Sequence, residues 1–275
     1  MITGVSTMLF EGNFSRSDIL EIKKIGVNYI ELSDSHIIDS RIINSIKNNK
    51  MNVFSIHASY LDSDISDLNE ARRLIGISDI KRRIDILKKA NGRIVIVHPG
   101  GWYKDKSEKK TRINNCIRSL SGVLKYANAR GVKIAIENLP GGFLCDDFKD
   151  LGYILDQTRI LSGLKNSIGI CLDTGHAFLT GNLYEMIDFF KNDILSIHLQ
   201  DNFGDKNNDR SMAVDDIHCP PGHGLINWSY LFFRLNEYNY DGGLIFEVKV
   251  TSIKGKDKKF MLEEIKKFIV EKNLG

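Results

Sequence analysis

The hydrophobic positions of this chain fall into eight short runs spread along its whole length. They lie near residues 2–6, 28–32, 52–57, 93–98, 132–137, 168–173, 194–199 and 244–249. Runs such as IVIV and IAI are continuously apolar, which is typical of parallel strands buried on both faces, because a strand with one wet face alternates polar and apolar residues. Segments with helical spacing, such as SRSDILEIKKIG and RINNCIRSLSGVLKYANARG, separate the runs.

This alternation of strand and helix predicts an α/β protein: a (β/α)8 TIM barrel that forms a single domain over residues 1–275. An open, doubly wound sheet is the alternative. No GxGxxG motif follows the first strand, which disfavours that alternative. Only four prolines occur, and no Ser/Gly-rich or low-complexity tract interrupts the alternation, so the sequence indicates no domain boundary.

Six of the runs end in a residue that can bind a metal ion: His57, His98, Glu137, Asp173, His198 and Glu247. The carboxyl ends of all strands of a TIM barrel meet at one mouth, so we expect these side chains to converge. The last four strands contribute Glu137, Asp173, His198 and Glu247. Carboxylates combined with one imidazole suit Mn²⁺, Mg²⁺, Co²⁺ or Zn²⁺. Any one of these residues alone is explained as well by a solvated charge at a strand end, but three acids and a histidine in successive strands are not.

Further candidates lie in the loops that follow these strands. His176 comes three residues after Asp173. It is predicted to bind a metal or a substrate hydroxyl, with a helix-start cap as the alternative. Asp216 and His218 are separated by one residue, so both can face the same side of an extended segment, although a rigid surface turn would also explain them. Their loop, residues 201–227, is the longest irregular stretch, and loops of that length are usually functional.

Four residues carry weaker signals. His57 and His98 follow buried-looking strands, where a histidine bonded to a backbone carbonyl is the alternative to a functional role. Asn138 is predicted to orient a ligand through its amide, and Trp102 to stack on a sugar ring. Simple packing explains Asn138 and Trp102 equally well.

Composition narrows the classes of function. The formal charge of +3 permits nucleic acid as a partner but does not call for it. Four cysteines without CxxC pairing indicate neither a disulfide framework nor a zinc ribbon, and they fit a reducing cytoplasm. The N-terminus lacks the pattern of a signal peptide, and no stretch approaches the roughly 18 apolar residues that a membrane helix needs. The motifs GxSxG, Walker A and HExxH do not occur.

Motifs along almost the whole chain resemble those of the xylose-isomerase-like TIM-barrel superfamily. This superfamily contains sugar and sugar-phosphate isomerases and epimerases together with endonuclease IV. The motifs are GVST, SIHASY, VHPGG, IENLPGG, CLDTGHA, HLQDN, DIHCPPGHGLINW and IFEV. Each is short, but their occurrence in this order is specific.

The resemblance implies one of two metal sites. In the isomerase and epimerase branch a single divalent metal is typically bound by four residues, which match Glu137, Asp173, His198 and Glu247. The two glutamates are then implied as the acid/base pair, and His176 as a contact to a substrate oxygen. In endonuclease IV three zinc ions are held by nine ligands, and the matching positions are His57, His98, Glu137, Asp173, His176, His198, Asp216, His218 and Glu247. All nine have the right residue type.

The leading hypothesis is a divalent-metal-dependent sugar or sugar-phosphate isomerase or epimerase that works through a metal-stabilised cis-enediolate. The N-terminal motif GVST and the segments HLQDNFGD and DIHCPPGHGLINW resemble sequences of that branch. The alternative is an endonuclease IV-like enzyme with three Zn²⁺ that cuts abasic DNA. Against it, the segment ELSDSHIIDS is short and lacks an arginine-bearing DNA-penetrating loop. A barrel that only binds sugar or metal as a sensor is the third class.

The two enzyme hypotheses imply different partners. We expect a small sugar or sugar phosphate under the first and nucleic acid only under the second. No membrane partner is expected under either. Barrels of the isomerase branch are often homo-oligomers, although no interface stripe stands out in the sequence.

Overall fold

The computed structural model describes residues 1–59, 64–204 and 216–274. The strands within these ranges are β1 Ile2–Ser6, β2 Tyr29–Leu32, β3 Asn52–His57, β4 Ile94–Val97, β5 Lys133–Glu137, β6 Ile168–Asp173, β7 Ile194–Leu199 and β8 Gly243–Phe246. The α-helices are α1 Arg16–Lys24, α2 Ser40–Asn48, α3 Glu70–Lys89, α4 Lys109–Asn128, α5 Phe148–Ser162, α6 Thr174–Leu179, α7 Leu183–Phe190, α8 Trp228–Glu237 and α9 Lys258–Lys272. None of these helices is long and apolar enough to cross a bilayer.

Local side-chain chemistry marks where several helices begin and end. Asp39, Asn69 and Asp257 each accept a hydrogen bond from a backbone N–H in the first turn of α2, α3 and α9. Gly163 ends α5 with φ 73°, a left-handed conformation that glycine adopts without steric cost. Short polar and glycine residues between the hydrophobic runs therefore set the boundaries of these helices.

The eight strands pair in parallel and in chain order, and β8 pairs with β1, so the sheet closes into a barrel. Gly4 of β1 lies opposite Ile245 of β8 in this closing pair. The predicted (β/α)8 barrel is confirmed. The open, doubly wound alternative is wrong, because such a sheet leaves its two edge strands apart. The barrel brings the carboxyl ends of all eight strands to one mouth.

Apolar side chains cover both faces of the sheet, which explains the continuously hydrophobic runs. The barrel interior contains Phe54, Ile94, Ile96, Ala135, Cys171 and Ile245. Gly243 is required beside this cluster because an added Cβ would come within 2.2 Å of the Phe54 ring. The outer face packs against the helices through residues such as Ile134 and Leu172, both fully buried.

Two predicted ligands lie one residue past the end of their strands. β4 ends at Val97 and β8 at Phe246, so His98 and Glu247 begin the following loops. The N–H of Glu247 still donates to the carbonyl of Leu199 in β7, and two residues later the N–H of Lys249 donates to the carbonyl of His218 in the β7–α8 connection. Both ligands remain at the mouth of the barrel.

The connection between β7 and α8 is fastened to the barrel by the buried carboxylate of Asp201. Its two oxygens accept hydrogen bonds from the backbone N–H groups of Asn202, Gly222 and Ile226 and from Nε1 of Trp228. The backbone of Asp201 also pairs with Cys219. The part of the predicted functional loop that spans residues 205–215 lies outside the described residues. Asp201 therefore anchors the described part of the loop that carries His218.

We predict that Asp201→Asn destabilises the protein by at least about 2 kcal/mol. The asparagine amide would place an NH2 group next to N–H donors that in the native protein bond to a carboxylate oxygen of Asp201. Each buried donor left without an acceptor costs about 1–3 kcal/mol. Urea denaturation measures this change. Asp241→Asn is the matched control, because Asp241 is exposed. Equal denaturation midpoints for the Asp201 variant and the native protein would contradict the anchoring role.

Candidate metal centre

Four predicted ligands meet at the bottom of the barrel mouth. We call Glu137, Asp173, His198 and Glu247 the central set. One ligand atom from each lies within 4.8 Å of the others, and all four are buried. The distances from Nδ1 of His198 are 3.3 Å to Oε1 of Glu137, 3.2 Å to Oε2 of Glu247 and 3.9 Å to Oδ2 of Asp173. Three carboxylates from three strands therefore surround one imidazole nitrogen.

A first outer set, His57, His98 and Glu137, shares its glutamate with the central set. Nε2 of His57 lies 3.0 Å and Nε2 of His98 lies 3.3 Å from Oε2 of Glu137. Nδ1 of His57 donates to the carbonyl of Ala58 at 2.6 Å, which directs its other nitrogen to the glutamate. The carbonyl bond expected of a structural histidine is thus present, and it orients Nε2 toward the site.

A second outer set consists of His176, Asp216 and His218. Oδ2 of Asp216 lies 3.4 Å from Nε2 of His176 and 2.8 Å from Nε2 of His218. Nδ1 of His176 donates to the carbonyl of Asn138, and Nδ1 of His218 donates to that of Glu247. Backbone carbonyls therefore turn the same nitrogen of both rings toward the aspartate, as they do at His57.

Burial and charge together shift the protonation of these groups. Burial raises the pKa of Asp173 to about 6, although the charges of His176 and His218 oppose it. Burial also acts to raise the pKa of Glu247, but His198 and His218 hold it at about 2. Burial favours neutral histidine, yet the Glu137 carboxylate raises the pKa of His57 to about 9.

The central set fits a divalent cation. Oδ2 of Asp173 is buried and has no hydrogen-bond partner among the described residues, so the atom is free to act as a ligand. Buried carboxylates at this spacing repel one another, and a cation between them offsets that repulsion. Carboxylate oxygens with imidazole nitrogen are donors that Zn²⁺ and Mn²⁺ accept. A divalent ion would complete the polar contacts that these residues leave open.

A cavity of about 280 Å³ opens above the central set. Glu137 and Glu247 line it, whereas Asp173 and His198 are completely buried and do not. His57, His98, His176, Asp216 and His218 also line it. Of the central set, the two glutamates are therefore the members that border the cavity.

Asn138 and Trp102, the two residues with a weakly predicted substrate contact, do not line the cavity. The Asn138 amide donates to the carbonyl of Asp173 at 3.1 Å and accepts from its N–H at 2.8 Å, so it ties β5 to β6. The role of Asn138 in orienting a ligand stays a prediction. Trp102 is 57% exposed and forms a β-bridge with Phe143, which itself lines the cavity. Trp102 lies outside the cavity wall.

Several residues that contact the site were missed by sequence reasoning, among them Glu31, Gln200 and Lys249. Glu31 in β2 lies 3.1 Å from Nε2 of His198. Gln200 donates through Nε2 to Asp173 at 2.9 Å, and Lys249 lines the cavity. The signals were an acid inside the apolar run YIEL, and polar residues two positions after the ligands in HLQD and FEVK.

Comparison with known proteins places the chain in a family. The model of the family described as xylose isomerase-like TIM barrel matches residues 19–270. The chain therefore belongs to this family.

Curated relatives match part of the chain. An uncharacterized protein of Methanocaldococcus jannaschii is 28% identical over 70% of this chain and 64% of its own length. A protein of Campylobacter fetus named as probable endonuclease 4 is 31% identical over 54% of each chain. The chain thus spans less than two thirds of the length of these relatives.

Solved structures match the whole chain in fold. A D-tagatose 3-epimerase-like protein has a TM-score of 0.77 at 23% identity and covers 100% of both chains. The IOLI protein with a bound zinc atom has a TM-score of 0.82 at 17% identity, covering 99% of this chain and 98% of that one. At these identities the likeness shows the shared barrel fold.

We predict that Asp173→Asn removes most of the stabilisation that a divalent ion gives. The asparagine side chain keeps Oδ1, which accepts from the N–H of His176, and has an NH2 group in place of Oδ2, the oxygen without a hydrogen-bond partner among the described residues. For the native protein, saturation to about 100 times Kd adds about 2.7 kcal/mol of stability, and EDTA reverses it. Thermal denaturation with and without Mn²⁺ or Zn²⁺ measures the effect. Asp156→Asn, an exposed position on α5, is the control. An unchanged shift in the Asp173 variant would refute a metal role for this residue.

Proposed function

We propose that this protein is a divalent-metal-dependent isomerase or epimerase of a ketose or sugar phosphate. The observation that carries the proposal is the position of the two glutamates. Glu137 and Glu247 face one small cavity, while their partners Asp173 and His198 lie beneath it. Sites for small molecules usually have volumes of about 300–1,000 Å³, so a cavity of about 280 Å³ suits a ligand of monosaccharide size.

The proposed reaction moves one proton at the carbon next to a carbonyl group. A divalent ion in the central set would act as a Lewis acid that makes this carbon more acidic. One glutamate removes the proton and later releases it to water, and the other, after taking a proton from water, delivers that proton to the opposite face or to the neighbouring carbon. The electron pair of the broken C–H bond is used to form the new one, so the step is balanced and needs no redox partner.

Electrostatics keep both glutamates ready to accept a proton. Although burial alone would protonate them, the neighbouring histidines hold the pKa of Glu137 well below its usual range and that of Glu247 at about 2. A carboxylate of such low pKa is a weak base, so proximity to the substrate must supply much of the rate. His176 lines the same cavity, which supports a contact between its ring and a substrate oxygen.

Named neighbours support a sugar substrate. Several solved structures that share the fold over essentially the full chain are described as 3-epimerases of ketoses, including a D-psicose 3-epimerase with D-tagatose from Clostridium cellulolyticum. The neighbour with a bound zinc atom supports a divalent ion at the barrel mouth. The likeness is one of fold, so the proposal rests on the glutamates and the cavity.

The glutamates provide the test. We predict that Glu137→Gln and Glu247→Gln each slow exchange of the α proton with D2O by about 10²–10⁴-fold, because general acid–base groups contribute that much. Proton NMR of a panel of ketohexoses and their phosphates measures the exchange, and metal content is determined for each variant. Glu237→Gln, an exposed position in α8, is the control. Persistent exchange in both variants would show that other groups carry the proton.

A second candidate is an endonuclease IV-like phosphodiesterase. The observation in its favour is that the nine predicted ligands form three sets, with Glu137 shared between two of them. Clustered metal ions can activate a hydroxide and stabilise charge on a phosphodiester. The curated relatives named as probable endonuclease 4 also favour it.

The loop after β2 favours the sugar over DNA. Residues 33–39, which connect β2 to α2, read SDSHIID and contain no lysine or arginine. Ser33 and Asp34 of this loop line the cavity. An acidic loop at the entrance would repel the phosphate backbone of DNA.

We predict that an oligonucleotide duplex with one abasic site stays uncut at micromolar protein, and that the dialysed protein retains about one divalent ion per chain. Metal analysis and gel electrophoresis measure the two quantities. A duplex without the abasic site and a commercial abasic-site nuclease serve as controls. Cleavage at the abasic site together with about three zinc ions per chain would establish the nuclease instead.

A further inference from the structure

His198 faces two different groups through its two ring nitrogens. Nδ1 points to the carboxylates of the central set, whereas Nε2 lies 3.1 Å from Oε2 of Glu31 on β2. Both residues are completely buried. Glu31 does not line the cavity, so it reaches the site only through the histidine.

The Glu31 side chain is held in place by its neighbour on β3. Oγ of Ser55 donates to the same oxygen, Oε2, at 2.7 Å. Glu31 and Ser55 are opposite each other because the register of β2 and β3 shifts between Ile30 and Glu31. The other oxygen, Oε1, is buried without a hydrogen-bond partner among the described residues. One carboxylate oxygen is thus fixed between a serine and the histidine.

With a cation in the central set, the contact with Glu31 provides the acceptor for the one remaining ring proton of His198. A neutral imidazole has one N–H, and a carboxylate can only accept a hydrogen bond. Nδ1 of His198 also faces carboxylates, those of Glu137 and Glu247. A cation in the central set would take the lone pair of Nδ1, and the single ring proton would then lie on Nε2 with Glu31 as its acceptor. At His57, His176 and His218 a backbone carbonyl is the acceptor. At His198 the acceptor is an acidic side chain, which also increases the basicity of the ring.

We propose that Glu31 is a positioning residue that fixes the tautomer of His198 and strengthens Nδ1 as a metal ligand. This inference rests on the metal site of the proposed function but not on the identity of the substrate. A buried structural acid would affect stability alone. A positioning acid must in addition change the affinity of the metal and the protonation of the ring.

Glu31→Gln separates the two roles because it preserves shape and removes the charge. Its amide oxygen can still accept from Nε2, while its NH2 group can instead donate to Nε2 and move the ring proton to Nδ1. We expect metal binding to weaken by about 10–100-fold, as is typical when a partner of a ligating histidine is lost. Ser196→Ala is the matched control, because Ser196 is also completely buried in the barrel and its Oγ has no partner among the described residues.

The experiment measures Kd for Zn²⁺ and Mn²⁺ on the full chain by competition with a chromophoric chelator. Nitrogen-15 NMR of the zinc-loaded native protein should show the proton of His198 on Nε2. Ser55→Ala keeps the acid but frees its oxygen, so it should weaken binding by a smaller factor. It also provides the readout if Glu31→Gln does not fold.

Two outcomes would overturn the inference in distinguishable ways. Equal Kd values for the native protein, Glu31→Gln and Ser55→Ala would remove the positioning role and leave the proposed reaction intact. Failure of the native protein to bind either ion would remove the metal site, and the proposed function with it.

Discussion

The structure depends on the convergence of three carboxylates on one buried imidazole nitrogen. Glu137, Asp173 and Glu247 would repel one another strongly without compensation, since two unit charges 4 Å apart interact by about 4 kcal/mol at an effective dielectric constant of 20. His198 lies among them, and histidines of the outer sets surround the cluster. Such a cluster is stable only where the rest of the fold offsets the repulsion between the carboxylates and where a bound ligand lowers that repulsion.

The barrel holds the repelling carboxylates in place because its strands cannot move independently. Each ligand of the central set lies within one residue of the end of a strand that is hydrogen-bonded to two others. Contacts between strand ends add to this rigidity, because Asn138 binds both backbone groups of Asp173. Asp201 in turn holds the loop that carries His218. Rigid positions allow a site to favour the charges of the reaction without reorganising.

Much of the fold could be predicted from the sequence, but the contacts beneath the site could not. Strands buried on both faces give continuous apolar runs, and a ligand at the end of a run is visible as a change in residue type. Glu31 interrupts a run and would be assigned to a solvent-facing position. Its inward direction follows from the alternation of β2, because Tyr29 packs in the interior cluster and Ile30 and Leu32 in the outer one. Its position opposite Ser55 follows from a register shift between β2 and β3, which no local pattern encodes. The same limit applies to Asn138, whose amide had a partner that only the paired strands bring near.

Glu137 links the two candidate functions through its two oxygens. Oε1 faces His198 of the central set, and Oε2 faces His57 and His98 of the first outer set. A glutamate that bridges two cations has both oxygens engaged and loses basicity, which suits a phosphodiesterase in which hydroxide is the nucleophile. A glutamate bound to one cation keeps an oxygen for a carbon-bound proton. Occupancy of the first outer set is therefore the physical difference between a nuclease and an epimerase on the same barrel.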